Sequence, residues 1–359
     1  MSLDELRRRI DDLDGNIVKL LAERLSVAEA IGKEKAAGAT PPIDPGRERK
    51  VLDHAIAVAA AGGMTADEIT EIYRSVIKLA RERQEVSVAF QGEAGAYSEE
   101  AALTYFGQRA VTKPCESLED VFKDVEGGGV QFGMIPIENS IEGSISRSYD
   151  LMLESRLMVS GELNLRVNHC LIGNPGSTLD GIKRVYSHPQ ALGQTGHFLR
   201  QLHFELVPTY DTAGSVKLIK EQGMMDGAAV ASERAAAIYG MKILARDIMD
   251  NPNNFTRFFA LGNHDAPPSG DDKTSVVFAV KHKPGALYEF LRILAERKIN
   301  LTKIESRPTR KKAWEYNFYL DFEGHREDEN IHAALPALEE QTLFFKILGS
   351  YPKARAEGR

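Results

Sequence analysis

The sequence predicts a multidomain chain: an all-α N-terminal region, a two-lobed α/β centre and an α+β, ferredoxin-like C-terminal domain. Three observations predict it. Apolar residues recur at helical spacing as far as residue 85, and strand-length apolar runs then alternate with helical stretches. Beyond a polar, Pro- and Gly-rich break at 264–272 the order becomes βαββαβ. These changes of period set domain limits at 1–85, 86–264 and 273–352.

In the first region Leu3, Leu6, Ile10, Leu13, Ile17, Leu20, Leu21, Leu25, Ala28 and Ile31 form a stripe at spacings of three and four. The first stop is GATPP at 38–42. A helix of about 35 residues is roughly 50 Å long, too long for so small a domain to cover alone. An intertwined helical dimer is the natural solution. Two shorter helices follow near 45–60 and 66–84, and Thr65 with Glu68 forms a capping-box pattern at the start of the second.

From Val86 onward come strand 87–92, a helix near Ser98, strand 132–137, a further helix, strand 184–187, and a helix from His188 to Leu202. Strand 204–210, a helix from Thr212, strand 227–232 and the helix SERAAAIYG complete the series. Such alternation predicts mostly parallel sheets covered by helices, here in two lobes with a cleft between them. The C-terminal order is strand 274–281, helix 285–297, strands 299–307 and 313–323, helix 327–340 and strand 343–349.

The totals narrow the class. A chain of 359 residues with 43% hydrophobic and 27% charged residues has the composition of a soluble globular protein of more than one core. A net charge of −7 argues against nucleic acid or an anionic membrane as a bulk partner, yet permits local cationic pockets. Cys115 and Cys170 stand far apart without metal-ligand spacing, so a reducing compartment and no metal are expected. No apolar run resembles a signal peptide or a membrane span, and a cytoplasmic location is expected. GEAGAYS lacks the dinucleotide fingerprint and there is no Walker loop, so no cofactor is expected.

Within the helical region, Arg24 and Lys35 lie 11 residues apart and so share a face to within about 20°. Arg7 points roughly 100° away and would reach a partner chain. Spacing alone favours a solvated charged surface. The run LRRRIDDLD, then LLAER, GKEK, the DPGRER turn and Gln84 resembles the all-helical chorismate mutase family over residues 3–84. The resemblance implies that Arg7, Arg24, Lys35, Asp44, Arg47, Glu48 and Gln84 contact chorismate, Arg7 serving the partner protomer's site. Ala80 departs from a better-known member, which has serine there, and implies a small loss of contact. The residue types suit the chemistry. A [3,3] rearrangement of a dianion to prephenate needs no base, only a held chair conformer and charge stabilisation at the breaking ether bond. Arginine forks would take the carboxylates, Lys35 and Gln84 would donate to the ether oxygen, and Glu48 would accept from the ring hydroxyl.

Four loops at strand ends concentrate small polar residues: GEAGAYS (92–98), PIENSIEGSIS (136–146), YSHPQALGQT (186–195) and NFTRFF (254–259). Each alone reads as a turn. Carboxyl ends of strands are nevertheless where open α/β sheets bind ligands, and helix N-termini there suit a carboxylate. Together the loops are similar to those of prephenate dehydratases over roughly 87–264. The resemblance implies a periplasmic-binding-protein-like pair of lobes, with Thr256 as catalytic hydroxyl and Glu138, Asn139 and Gln194 lining the site. Ser98, Ser140, Ser187 and Arg257 are implied as nearby substrate contacts. The reaction expels the ring hydroxyl and CO2 of prephenate together, so a hydrogen bond to the departing hydroxyl lowers its barrier. His169 and His188 read as structural.

KPGALYEFLRIL (283–294) and INLTKIESRP (299–308) resemble the ACT domain of phenylalanine-regulated dehydratases, with Tyr288 where an aliphatic residue is common. That implies L-phenylalanine as effector, held at a subunit interface by Gly285, Ala286, Leu287, Asn300, Leu301 and Ser306. The whole is expected to be a bifunctional, feedback-regulated homodimer or homotetramer that makes prephenate from chorismate and phenylpyruvate from prephenate. Two other readings stay open: an arogenate dehydratase carrying a mutase-like dimerisation domain, and a non-catalytic two-lobed sensor.

Overall fold

A computed structural model describes residues 2–37, 45–83, 86–309 and 315–354. Three helices open it: α1 (Leu3–Ala37), α2 (Pro45–Ala61) and α3 (Ala66–Glu82). The expected capping box is present, Thr65 Oγ1 accepting from the Glu68 amide and Glu68 Oε2 from the Thr65 amide. The α1 stripe is largely uncovered: Leu6, Ile10, Leu13, Ile17 and Leu20 are all exposed.

The first lobe comprises β1 (Ser87–Gln91), α4 (Tyr97–Phe106), β2 (Val111–Cys115), α5 (Leu118–Glu126), β3 (Phe132–Asn139), β4 (Gly143–Ser144), α6 (Ser146–Glu154) and β5 (Met158–Arg166). The second comprises β6 (Cys170–Gly173), β7 (Arg184–Ser187), α7 (Pro189–Gln194), α8 (Gly196–Gln201), β8 (Glu205–Pro208), α9 (Thr212–Glu221), β9 (Gly227–Ala231), α10 (Glu233–Tyr239) and β10 (Lys242–Ala245). The chain then returns to the first lobe as β11 (Phe255–Gly262), inserted between β3 and β5.

Three expectations change here. The sheets are mixed, not mostly parallel. In order β2-β1-β3-β11-β5 the returning β11 runs antiparallel to both neighbours, and in β10-β6-β9-β7-β8 strand β6 runs antiparallel to both β10 and β9. NFTRFF is the start of a central strand, not a loop, because its β-branched and aromatic residues fill a position hydrogen-bonded on both sides. The expected helix 188–202 is two short ones broken at Thr195, whose hydroxyl bonds back to the Ala191 carbonyl at 2.8 Å.

The C-terminal domain is β12 (Asp272–Ala279), α11 (Ala286–Glu296), β13 (Leu301–Pro308), β14 (Tyr316–Glu323), α12 (Glu329–Glu340) and β15 (Phe344–Pro352), in sheet order β13-β14-β12-β15. This is the ferredoxin-like arrangement. Its sheet packs on the first lobe, and one apolar cluster joins Ile135, Val159 and Phe259 of the lobe to Val277, Tyr319, Leu348 and Tyr351. Gly349 marks how close they come, since a Cβ there would lie 2.2 Å from the Val159 carbonyl oxygen. The 264–272 segment is no loose tether: Asp272 accepts from the Ser269 and Gly270 amides, and Ala266 bonds to Ser350.

Candidate active site

A cavity of about 760 Å³ opens between the lobes, lined by Asn139 and Thr256 from the first and by His169, His188, Gln194 and Asp211 from the hinge and the second. Its floor follows from strand alternation. On β11 Thr256 and Phe258 face the cavity, so Arg257 and Phe259 face away.

Thr256 and Asn139 are cross-strand partners, and Asn139 Nδ2 donates to Thr256 Oγ1 at 3.1 Å. The Asn139 amide can point only one way. Its Oδ1 accepts from the backbone amides of Ile141 and Glu142, both at 3.0 Å, which leaves the NH2 for Asn254 Oδ1 at 2.7 Å and, shared, for Thr256 Oγ1 and the Phe255 carbonyl at 3.2 Å. With Thr256 Oγ1 accepting there, its own proton can turn toward the cavity that the residue lines.

The chain of bonds continues through both segments that connect the lobes. Asn254 Nδ2 donates to Gln194 Oε1 at 3.0 Å, His169 Nε2 meets the same oxygen at 3.2 Å, and His169 Nδ1 meets the Tyr97 hydroxyl at 2.9 Å. Burial pushes the His169 pKa down to about 4, so the ring is neutral at pH 7. Tyr97 is pushed well above the usual phenol range by its burial. Asp211 caps α9 by accepting from the Gly214 amide at 2.6 Å, and burial raises its pKa.

The loop 92–98 is pinned across the cleft. Glu93 takes Lys217 at 3.1 Å and the Tyr210 hydroxyl at 3.2 Å, and Ser232 Oγ donates to the Gly95 carbonyl. A Cβ on Gly95 would lie 2.8 Å from the Ala235 Cα, and its φ of 90° also favours glycine.

Of the residues expected at this site, Thr256, Asn139, Gln194 and Ser98 line the cavity. Ser140 stands beside it as a clip, accepting from the Phe255 amide and donating to the Asn253 carbonyl. Ser187 is fully buried and donates to the Val230 carbonyl beneath the cavity wall. Glu138 and Arg257 do not face the cavity. The period of two puts both on the opposite side of the sheet, where Glu138 pairs with Lys303 at 2.7 Å and Arg257 with Asp321 at 2.6 Å and Glu162 at 2.6 Å. His169, expected to be structural, lines the cavity and belongs to the bonded chain, and His188 lines it at the N-terminus of α7. Tyr97 and Asn254 went unremarked, although each sits inside a motif already singled out, GEAGAYS and NFTRF.

In the helical region Arg24 is half-buried, and its Nη1 is shielded from solvent without a hydrogen-bond partner among the described residues. Glu48 holds the Arg81 guanidinium in a bidentate pair, with Arg81 Nε at 2.6 Å and Nη2 on the second oxygen. Arg81 was not anticipated. Arg7 is exposed and pairs with Asp4 at 3.7 Å, and Arg47 is exposed. Asp44, Gln84 and the Lys35 side chain lie outside the described residues.

In the C-terminal domain a pocket of about 220 Å³ is lined by Ala286 and Leu287 together with Val280, Tyr316, Phe318 and Leu343. Gly285 is the N-cap of α11, with φ 83°. Asn300, Leu301 and Ser306 lie apart from this pocket's wall, Leu301 packing into the domain core and Ser306 pairing with Phe318 on β14.

Two lobes around a hydroxyl–amide site, docked on a ferredoxin-like sheet, define a dehydratase core with an attached regulatory domain. The prephenate dehydratase family matches residues 88–266, chorismate mutase type II matches 6–85 and the ACT domain matches 274–340. The chain belongs to the bifunctional chorismate mutase/prephenate dehydratase family. It is 40% identical to such an enzyme from Aquifex aeolicus, over 98% of each chain. It is 46% identical to an arogenate dehydratase/prephenate dehydratase of Arabidopsis thaliana over 74% of this chain and 73% of that one. A crystal structure of prephenate dehydratase from Arthrobacter aurescens in complex with L-Phe shares 32% identity, covering 75% of this chain and 90% of that one, with TM-score 0.70. No helix among the described residues is long and apolar enough to cross a membrane.

Proposed function

We propose that the interlobe cavity converts prephenate to phenylpyruvate, with Thr256 donating to the departing ring hydroxyl. The observation that carries this is the fixed orientation of Asn139, which makes Thr256 Oγ1 an acceptor and frees its proton for the cavity. The bond from the ring to the carboxylate breaks, its electron pair moves through the ring, and the opposite C–O bond breaks as CO2 leaves. The hydroxyl departs as water once it has gained a proton. A threonine hydroxyl has a high pKa, so it acts by holding and relaying a proton, with the Asn139 amide stabilising the oxygen that gives it up. His169 is a poor rival donor, since it is neutral at pH 7 and its Nε2 faces Gln194.

The helical region supplies prephenate from chorismate, and Arg24, whose buried Nη1 has no partner among the described residues, is the carboxylate anchor. Two chains pair through the exposed α1 stripe, which is what lets Arg7 reach the second protomer's site. The C-terminal pocket beside Gly285, Ala286 and Leu287 takes L-phenylalanine as a feedback signal.

The test offers prephenate and arogenate separately to the purified chain and follows phenylpyruvate and phenylalanine. Prephenate is the preferred substrate by at least about tenfold in kcat/KM, a transition-state difference of about 1.4 kcal/mol. A preference for arogenate, or turnover of neither, would reject the reading.

A further inference from the structure

Glu138 and Arg257 were expected in the cavity; what they do instead is specific. They are cross-strand partners in the β3–β11 ladder, next to the partners Asn139 and Thr256. Lys303 and Asp321 are likewise cross-strand partners, in the β13–β14 ladder of the C-terminal sheet. Arg257 bonds Asp321 and Glu138 bonds Lys303, so the two ladders are joined as a square of four charges with alternating sign. Three of the four side chains are at most 13% exposed, and Glu138 is 35% exposed.

Further bonds brace the square. Arg257 also holds Glu162 of β5, which takes Lys273 of β12 at 2.8 Å. Asp321 accepts from Ser275 Oγ at 2.6 Å, and Tyr351 bonds both Ser275 and Arg257. Buried ion pairs contribute little net stability, because the charges must first leave water; what they fix is geometry. Against β5 the strand β11 is regular through Thr256 and Arg257, but on its β3 side it is not. The register of β3 against β11 slips between Arg257 and Phe258, so the Thr256–Asn139 end of the ladder is separated from the regular part by a bulge.

We infer that Arg257 and Glu138 are positioning residues for the dehydration step, which set the Thr256–Asn139 pair by anchoring its strands to Asp321 and Lys303 of the ACT sheet. This rests on the reading of the cavity given above. The ACT sheet is then a structural part of the dehydratase site, and any displacement of β13 or β14 is felt one residue away from the reacting hydroxyl.

The experiment makes Asp321→Asn, Lys303→Met and the charge-keeping Lys303→Arg in the full chain. Dehydratase kcat and KM are measured with prephenate, mutase turnover with chorismate, and thermal melting for each. The expected result is a fall in kcat of about tenfold or more for Asp321→Asn and for Lys303→Met, with KM within about threefold and mutase turnover unchanged. Lys303→Arg keeps the alternating signs and retains most of the kcat lost in Lys303→Met. Lys303→Met lies on the more exposed arm and keeps the test alive if Asp321→Asn fails to fold. Folded Asp321→Asn or Lys303→Met protein with wild-type kcat overturns the inference, as does a loss shared equally by kcat, KM and melting temperature that Lys303→Arg does not relieve. Wild-type protein that leaves prephenate untouched would sink the underlying reading instead.

Discussion

The side-chain amide of Asn139 donates to the hydroxyl of Thr256 across 3.1 Å, while its own oxygen is held by two backbone amides of the following turn. An aspartate at 139 would keep the turn, since its carboxylate can still accept both amides, but would accept the threonine proton instead of donating to it. Asn139→Asp should therefore lower dehydratase kcat by about 10²-fold, the usual scale for losing one oriented donor. Phenylpyruvate formation measures this, and a value within about threefold of wild type would speak against it.

His169 gives a pH signature. Its folded pKa of about 4 lies below the ordinary histidine value near 6.5. Between those values the unfolded chain binds a proton that the folded chain does not. Stability is therefore fully present above pH 6.5 and is lost as pH falls toward 4, by about 3 kcal/mol for this one group. His169→Asn should lose correspondingly less stability between pH 7.5 and pH 4.5. Equal losses in the two proteins, followed by circular dichroism in urea, would count against a buried neutral imidazole.

Arg24 separates the two activities. Arg24→Ala should reduce mutase turnover by about 10²-fold or more through loss of a charge-assisted carboxylate contact. Dehydratase turnover of added prephenate should stay within twofold. Retained mutase turnover would remove Arg24 from the carboxylate contact, whereas a wild-type chain without mutase turnover would assign the helical region to assembly alone.

The α1 stripe makes a prediction about mass. Leu13 and Leu20 are 54% and 65% exposed in one chain, far more than a soluble helix leaves of its own apolar face. Leu13→Glu combined with Leu20→Glu should halve the mass seen by light scattering and abolish mutase turnover. A wild-type chain that already runs as a monomer would remove the basis for pairing.

Much of this was legible in the sequence because it depends on local rules. The period change at Val86, the capping box at Thr65 and the βαββαβ order are set by neighbours within a few residues, and the elements appear where those rules place them. The motifs also led to Thr256, Asn139, Gln194 and Ser98. What the sequence hid is which face a residue takes once its strand is known. With NFTRFF read as a loop, Arg257 seemed free to join Thr256; as a strand it must point the other way. Glu138 was misplaced for the same reason. Nothing local announces that β11 threads between β3 and β5, or that charges in β13 and β14 wait behind it. His169 looked structural because a buried histidine usually is, and only the fold brings Gln194 and Tyr97 to its two nitrogens.

The claim that matters most is that the Thr256 hydroxyl gives its hydrogen bond to the departing oxygen of the substrate. Dehydratase kcat of Thr256→Val and Thr256→Ser, with mutase turnover as the internal control, tests it most directly. The valine variant, equal in shape but without a hydroxyl, should lose about 10³-fold, and the serine variant should remain within about tenfold of wild type. A valine variant that still produces phenylpyruvate at close to the wild-type rate would contradict the account.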